Sequence, residues 1–417
     1  MSPILAAASG GDFQITAFDP DGQITWTNAF TRGVCTVETS SVLGAAWTPR
    51  QNFFTTNSFG IGTFAPLPTN AFLRVRAVQI STNTPQAFTN LIQSYGLLHT
   101  IAGSGADAGN DNVSYWQPYF EGAFATNVAL SRPHMALGDT ESNVFIVDKN
   151  SHSVLKLTPD GRIHTVAGTH NSGNGPDVAT VATNVDLNQP NGLWIATNNV
   201  IYILDTGNSK VRRLNTNGMM TTTFTDNNGI DTGRGLWVRR DEALVFYCSG
   251  NDLMKWTPSG GTSKFNKQFN ELGNIIVSGT NLVVTDRGDN TVWLVSTNTG
   301  ARTLLFGNGK TSLVVDGTLA VTNSLYGVRG VWQPPIGGYL LATDEGAQLL
   351  YVDITGVIHI LVNGFDDTHS GDGKWFYSLA YKFGQLRSVS MDNYGNLLIV
   401  ENDLGYVRRI DFQRLTP

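Results

Sequence analysis

The sequence predicts an all-β protein whose main body is a six-bladed β-propeller, closed by pairing an N-terminal strand with the last three strands of the chain. Three observations carry this. A pattern of apolar run, polar turn and second apolar run recurs six times. A short apolar strand precedes each copy, and a turn with a fourth strand follows each of the first five. The sixth copy has no room for a fourth strand, whereas a strand of that pattern stands alone near residue 100.

The hairpins span residues 144–157, 201–214, 244–256, 282–295, 339–352 and 397–410. Their turns are rich in Gly, Asn and Asp, the residues that tolerate tight reversals. The preceding strands are 133–137, 191–195, 234–238, 273–277, 329–332 and 387–391. Fourth strands follow turns such as Asp160-Gly161 and Thr355-Gly356, at 163–167 and 357–362. One four-stranded sheet cannot bury both faces, whereas sheets packed radially can. After residue 410 only 411–417 remain, too few for a turn and a strand. Residues 95–103 supply the missing one: Leu98-His-Thr-Ile-Ala-Gly103 echoes Ile163-His-Thr-Val-Ala-Gly168. The expected closure pairs 97–102 with 406–410 and removes the free sheet edge.

Residues Thr165–Gly168, 181–192 and 203–214 carry a resemblance to the NHL-repeat family of propellers, and Ser370-Gly-Asp-Gly373 is similar to that family's blade-linking loop. The resemblance covers residues 96–417, is strongest in the second blade and fades in the third. It implies a six-bladed ring used as a binding platform, a scaffold or, in some members, a lyase, so the fold leaves the activity open.

Ahead of the ring, residues 1–10 read as a flexible terminus, 11–80 as a small β-sandwich-like module and 81–95 as a linker. The module alternates like strands at 13–18, 23–26, 34–38 and 72–77, with turn chemistry at Asp19-Pro-Asp-Gly22. It resembles small β-appendages of secreted bacterial proteins.

Composition narrows the function classes. Hydrophobic residues make up 41% of the chain, enough for a core, and charged residues only 14%, so neutral polar groups solvate much of the surface. A net charge of −6 with no basic run gives no general attraction for nucleic acid. No run of 18 apolar residues is present, so no membrane span is expected. Cys35 and Cys248 fall in different expected domains, and no disulfide is expected. Leu5-Ala-Ala-Ala-Ser-Gly10 is similar to the small-residue end of a trimmed signal peptide, with an ordinary terminus as the other reading. The expected location is extracellular or the cell envelope.

In a propeller the residue that begins each first strand faces the channel mouth. Aligning the copies gives His134, Asn191, Arg234, Gly273 or Asn274, Arg329 and Arg387; of the pair, Asn274 is taken as the ligand candidate. Three arginines around one mouth favour an anion, because guanidinium groups grip carboxylate or phosphate through two parallel hydrogen bonds. The competing expectation is that they pair with acids. The ends of the second strands carry Asp148, Asp205, Cys248, Asp286, Asp344 and Glu401, whose carboxylates are expected to accept backbone N–H groups of the turn that follows.

No His-Glu-x-x-His, Cys-x-x-Cys or Gly-x-Ser-x-Gly occurs, and of seven histidines only His134 is placed at the channel. Calcium held by Asn191 and Asn274 would be opposed by the neighbouring arginines. No metal and no cofactor are expected. The blade-linking loops 104–132, 169–190, 308–327 and 364–385 are long, and carry Tyr115, Trp116, Tyr119, Trp375 and Tyr377, which suit protein or glycan contact. The bland alternative is that these rings form satellite cores. The favoured expectation is a non-enzymatic binding or scaffold protein. The alternatives are a lyase or hydrolase working in the channel, and a self-assembling surface or filament subunit that adds residues 3–8 as a strand to a neighbour.

Overall fold

The recurring hairpins fold as six antiparallel blades around one axis, in a computed structural model that describes residues 14–19, 22–27, 30–42, 44–63, 71–80, 85–106, 113–376 and 381–413. The N-terminal module comprises β1 (Gln14–Asp19), β2 (Gln23–Thr27), β3 (Gly33–Ser40), β4 (Thr48–Thr55), β5 (Gly60–Thr63) and β6 (Phe72–Gln79). These form two three-stranded sheets, β1-β2-β5 and β4-β3-β6. Ile24 and Trp26 from one sheet meet Cys35, Val37, Leu73 and Val75 from the other. Gly60 allows the close approach: a Cβ there would lie 2.5 Å from the Trp26 ring. The segment expected to link module and ring carries helix α1 (Pro85–Gln93), followed by β7 (Leu98–Ala102).

Blade 1 is β8 (Pro133–Gly138), β9 (Val144–Asp148), β10 (Ser153–Leu157) and β11 (Ile163–Ala167). Blade 2 is β13 (Pro190–Ile195), β14 (Ile201–Asp205), β15 (Lys210–Leu214) and β16 (Met219–Thr225), with β12 (Thr180–Val181) added outside β16. Blade 3 is β17 (Leu236–Val238), β18 (Val245–Ser249), β19 (Asp252–Thr257) and β20 (Gly261–Asn266). Blade 4 is β21 (Leu272–Ser278), β22 (Asn281–Asp286), β23 (Thr291–Ser296) and β24 (Arg302–Phe306). Blade 5 is β26 (Val328–Trp332), β27 (Tyr339–Thr343), β28 (Leu349–Val352) and β29 (Val357–Val362), with β25 (Thr318–Leu319) outside β29. Blade 6 is β30 (Leu386–Met391), β31 (Leu397–Glu401) and β32 (Tyr406–Ile410), and β7 completes it.

The closure has the expected partners: Ile410 faces Leu98, Arg409 faces His99 and Val407 faces Ala102. The Ala-Gly echo at its end has a physical cause. Gly103, Gly168 and Gly307 have φ of 98°, 97° and 92°, and a Cβ on each would fall within 2.4 Å of a backbone oxygen. Only glycine fits there. Each donates its N–H, to Ala125, Ala182 and Ala320 respectively, at 3.0–3.1 Å. Those buried alanines donate in turn to Gly161, Gly218 and Gly356 in the next blade. The loop thus staples the end of one blade to the outer turn of its successor.

Both faces of β3 are buried. Cys35 and Val37 enter the sandwich core, whereas Val34 packs with Tyr95, Tyr351, Met391 and Phe412 of the ring. Phe54 stacks on Phe412 at 4.1 Å, and Asn52 Nδ2 donates to the Ser94 carbonyl at 2.8 Å. The module therefore covers blades 5 and 6 on the side of the turns that join first and second strands. Both cysteines are buried and free, with their thiol pKa pushed up to about 12 by burial. Residues 3–8, expected to mediate self-assembly, lie outside the described residues.

Candidate functional site at the channel mouth

The channel-mouth ring is built by β-bulges. In blade 1, Pro133 pairs with Asp148 and Met135 with Val147, so His134 is the extra residue. The same slip isolates Asn191 in blade 2, Arg329 in blade 5 and Arg387 in blade 6. A bulged residue is released from the ladder and its side chain is re-aimed, here toward the axis. In blade 4 the slip spans Gly273 and Asn274. A Cβ on Gly273 would lie 2.4 Å from Thr285 Oγ1 and 2.7 Å from the Arg329 carbonyl, so this blade contributes no side chain at the ring. In blade 3 pairing begins at Leu236, and Arg234 sits just ahead of it.

Two further positions per blade reach the mouth: the residue two before the ring residue, and the residue just after the second strand. The first supplies Arg132, Thr232, Glu271 and Gln385; the second supplies Lys149, Arg287 and Asp344. Their backbones are tied together: Lys149 N–H donates to Arg132 O at 3.3 Å, and Arg287 N–H to Glu271 O at 2.7 Å. With Glu345, these residues and His134, Asn191, Arg234, Arg329 and Arg387 line a pocket of about 350 Å³. Trp332, at the far end of β26, packs against clusters of blades 1–2, 4–5 and 5–6 at once, so its indole reaches across the axis.

The charges divide by side. Arg287 is bonded to Glu271 at 2.5 Å and to Glu345, and lies 3.6 Å from Asp344. Asp344 is also 2.5 Å from Arg329 and 3.2 Å from Arg387. Arg387 reaches Asn402 at 3.0 Å and Asp403 at 3.4 Å. On the wall of blades 1–3, Arg132, Lys149 and Arg234 have no carboxylate partner among the described residues. Burial, then the charges of Arg132, Arg234 and Arg387, push the Lys149 pKa down to about 8. Burial, then Arg329 and Arg387, push Arg234 well below the guanidinium range. Guanidinium does not lose its proton in proteins, so Arg234 is a buried charge crowded by two others. His134 is buried and kept neutral, its pKa lowered by burial and by Arg234, Arg387 and Lys149. Its Nδ1 takes Arg234 Nε at 3.3 Å and lies against Asn191 Oδ1, while Nε2 has no partner.

Five of the six ring candidates therefore meet in one pocket. Asn274 does not: its Oδ1 accepts the Ile275 N–H at 2.8 Å and its Nδ2 points to the Val331 carbonyl at 3.4 Å. The second-strand acids accept backbone donors chiefly from the segment leading into the first strand; from the turn that follows, as expected, Asp286 also accepts the Asp289 N–H at 3.4 Å. Ser131 donates to Asp148, Asn188 to Asp205, Asn270 to Asp286 and Gly384 to Glu401, at 2.8–3.0 Å. Asp344 is not in this set. Thr343 pairs with Val328 in the slot held elsewhere by the acid, and Asp344 is one residue further on, in the mouth. Lys149 and Arg287 were missed by sequence reasoning; each directly follows the recurring acid, so extending the alignment by one residue would have found them.

The loop aromatics split. Tyr115 and Trp116 pack on the cluster of Ala102, Phe120 and Leu155, and Trp116 stacks on His170 at 4.2 Å. Tyr119 is 74% exposed. Trp375 is half-buried and bridges Leu97. Tyr377 lies outside the described residues.

Fold and mouth together define a propeller protein with a cation-walled pocket at its channel mouth. No family model matches the sequence, and no curated protein matches it. The fold is similar to that of a protein of unknown function from Bacteroides thetaiotaomicron, with TM-score 0.60 and 14% identity over 96% of this chain and 98% of that one. It is also similar to auxiliary nutrient binding proteins from Bacteroides ovatus (TM-score 0.56, 10% identity, 94% of each chain) and from B. thetaiotaomicron (0.56, 11%, 98% of each). Such coverage takes in the N-terminal sandwich as well as the ring. At this identity the likeness shows a shared fold. Among the described residues no helix is long and apolar enough to cross a membrane.

Proposed function

We propose that this chain is a non-enzymatic binding protein that receives an anionic ligand, or the anionic group of a larger one, in the channel mouth. The observation that carries this is the wall of Arg132, Lys149 and Arg234, left without carboxylate partners among the described residues in the channel-mouth pocket. Cations held half-buried and close together repel one another unless an anion joins them. Tyr119, exposed on the loop between β7 and blade 1, suits a second contact with a protein or glycan. Two proteins that share the fold over nearly their whole length are described as nutrient binding, a reading of the same kind. The NHL-type repeat and a location outside the cell or in its envelope belong to this proposal. Calorimetric titration with small anions at low salt tests it: micromolar to millimolar binding that Arg234→Ala weakens supports it, and no binding by any anion defeats it.

A lyase or hydrolase is the second reading, favoured by the buried neutral His134 with its unpartnered Nε2 beside Arg234. It requires turnover that His134→Ala abolishes while ligand binding persists.

A further inference from the structure

We infer that the wall of Arg132, Lys149 and Arg234 holds a doubly charged oxyanion: free phosphate or sulfate, or the phosphate monoester of a sugar-sized molecule. This rests on the anion-binding reading and narrows it.

Charge balance is the first argument. The pocket lining carries six cationic side chains, Arg132, Lys149, Arg234, Arg287, Arg329 and Arg387, against three carboxylates, Glu271, Asp344 and Glu345. Asp403, just outside, takes a share of Arg387. Two positive charges remain, and a monoanion would leave one of them unmet. Position is the second. The carboxylates cluster on Arg287 and Arg329, so the unmet charge is confined to one wall. There Thr232 and Asn191 add neutral hydrogen-bonding groups, and the buried His134 has a nitrogen still unpartnered. Backbone strain is the third. Arg132 adopts φ 73°, a conformation that favours glycine, and the equivalent position in blade 5 is Gly327 at φ 69°. A long cationic side chain is thus held where the backbone alone would select none. Size is the fourth: about 350 Å³ suits a small ligand and excludes a folded domain.

The test is calorimetry at low ionic strength with sulfate, inorganic phosphate, acetate, succinate and a hexose monophosphate. Sulfate is expected to bind at least about 10-fold more tightly than acetate, one additional charge-assisted contact being worth that much. The ratio of phosphate to sulfate affinity should rise from pH 5.5 to 7.5 as phosphate gains its second charge. Sulfate keeps its charge throughout and so reports the protein's own titration. Lys149→Gln and Arg234→Gln should each weaken sulfate at least about 10-fold, whereas Arg239→Gln, on an exposed arginine paired with Asp241, should not. Circular dichroism separates loss of site from loss of fold, and Arg234→Lys, which keeps the charge, should retain part of the affinity. A hexose monophosphate tighter than phosphate assigns an ester; the reverse assigns the free ion. Acetate or succinate binding as tightly as sulfate, or sulfate binding unmoved by Lys149→Gln and Arg234→Gln in folded protein, overturns the inference while leaving anion binding intact. Binding by none of these ions removes both.

Discussion

Replacing Arg408 with methionine should destabilise the protein by about 3–5 kcal/mol, the usual penalty for stranding one member of a buried ion pair. Arg408 is fully buried, as is its partner Glu401 at 2.7 Å. The same guanidinium donates to Asp372 at 2.8 Å and to the Ser370 carbonyl at 2.7 Å, clamping the blade-linking loop onto blade 6. Glu401 would keep the Gly384 N–H at 2.9 Å but lose the counter-charge of Arg408. Adding Glu401→Gln removes the stranded charge, so the double variant should recover about 1–3 kcal/mol of the loss. By contrast Arg239→Ala, which breaks an exposed pair with Asp241, should leave the denaturation midpoint nearly unchanged. Urea titration with matched slopes measures the parent, these variants and Glu401→Gln alone. The reasoning fails if Arg408→Met costs under about 1 kcal/mol, or if the two substitutions simply add. Cleavage within residues 364–376 should accelerate in Arg408→Met, because the clamp is what holds that loop.

Three other expectations concern strain, pH and closure. Arg132→Gly relieves the left-handed backbone, so stability should hold or rise by up to about 1 kcal/mol while sulfate affinity falls; a clear stability loss with unchanged affinity would contradict this. Burial pushes Asp148 up to about 7 against 3.8 for an exposed carboxyl. The folded state then keeps a proton that the unfolded chain releases, so this group's contribution is full below pH 3.8 and fades as pH rises to 7. Asp148→Asn should therefore gain stability relative to the parent at pH 8 and gain none at pH 3.5, read by denaturant midpoints. Leu98→Ala opens a cavity in the fully buried closure and should cost about 2–5 kcal/mol; Leu304→Ala, on an exposed outer strand, should cost under about 0.5 kcal/mol.

What the sequence disclosed follows from what period and turn chemistry encode. Blade count and closure were legible because each hairpin carries its own apolar runs, and because a strand without its own blade must find one. The bulges were not, since a bulge adds one residue without changing residue types; it shows only once pairing is known. That hid the Gly273 geometry and left Asn274 as the apparent ring residue. The displacement of Asp344 was equally hidden, because Thr343 and Asp344 are adjacent polar residues and either fits the pattern. The short strands β12 and β25 are too brief to show any period. Trp332 reads as one more core aromatic, and only its contacts with three clusters place it across the axis.

The closure of blade 6 also sets a timetable for synthesis. Leu98 is translated long before its partner Ile410. About 300 residues must be translated in between, which at roughly 5–20 residues per second takes about 15–60 s. Throughout that interval β7 has no neighbour to pair with, although the blades behind it can form one after another. The nascent chain therefore carries an unpaired, apolar strand until its partner is made. The ring can become cooperative only once β32 has emerged and met β7.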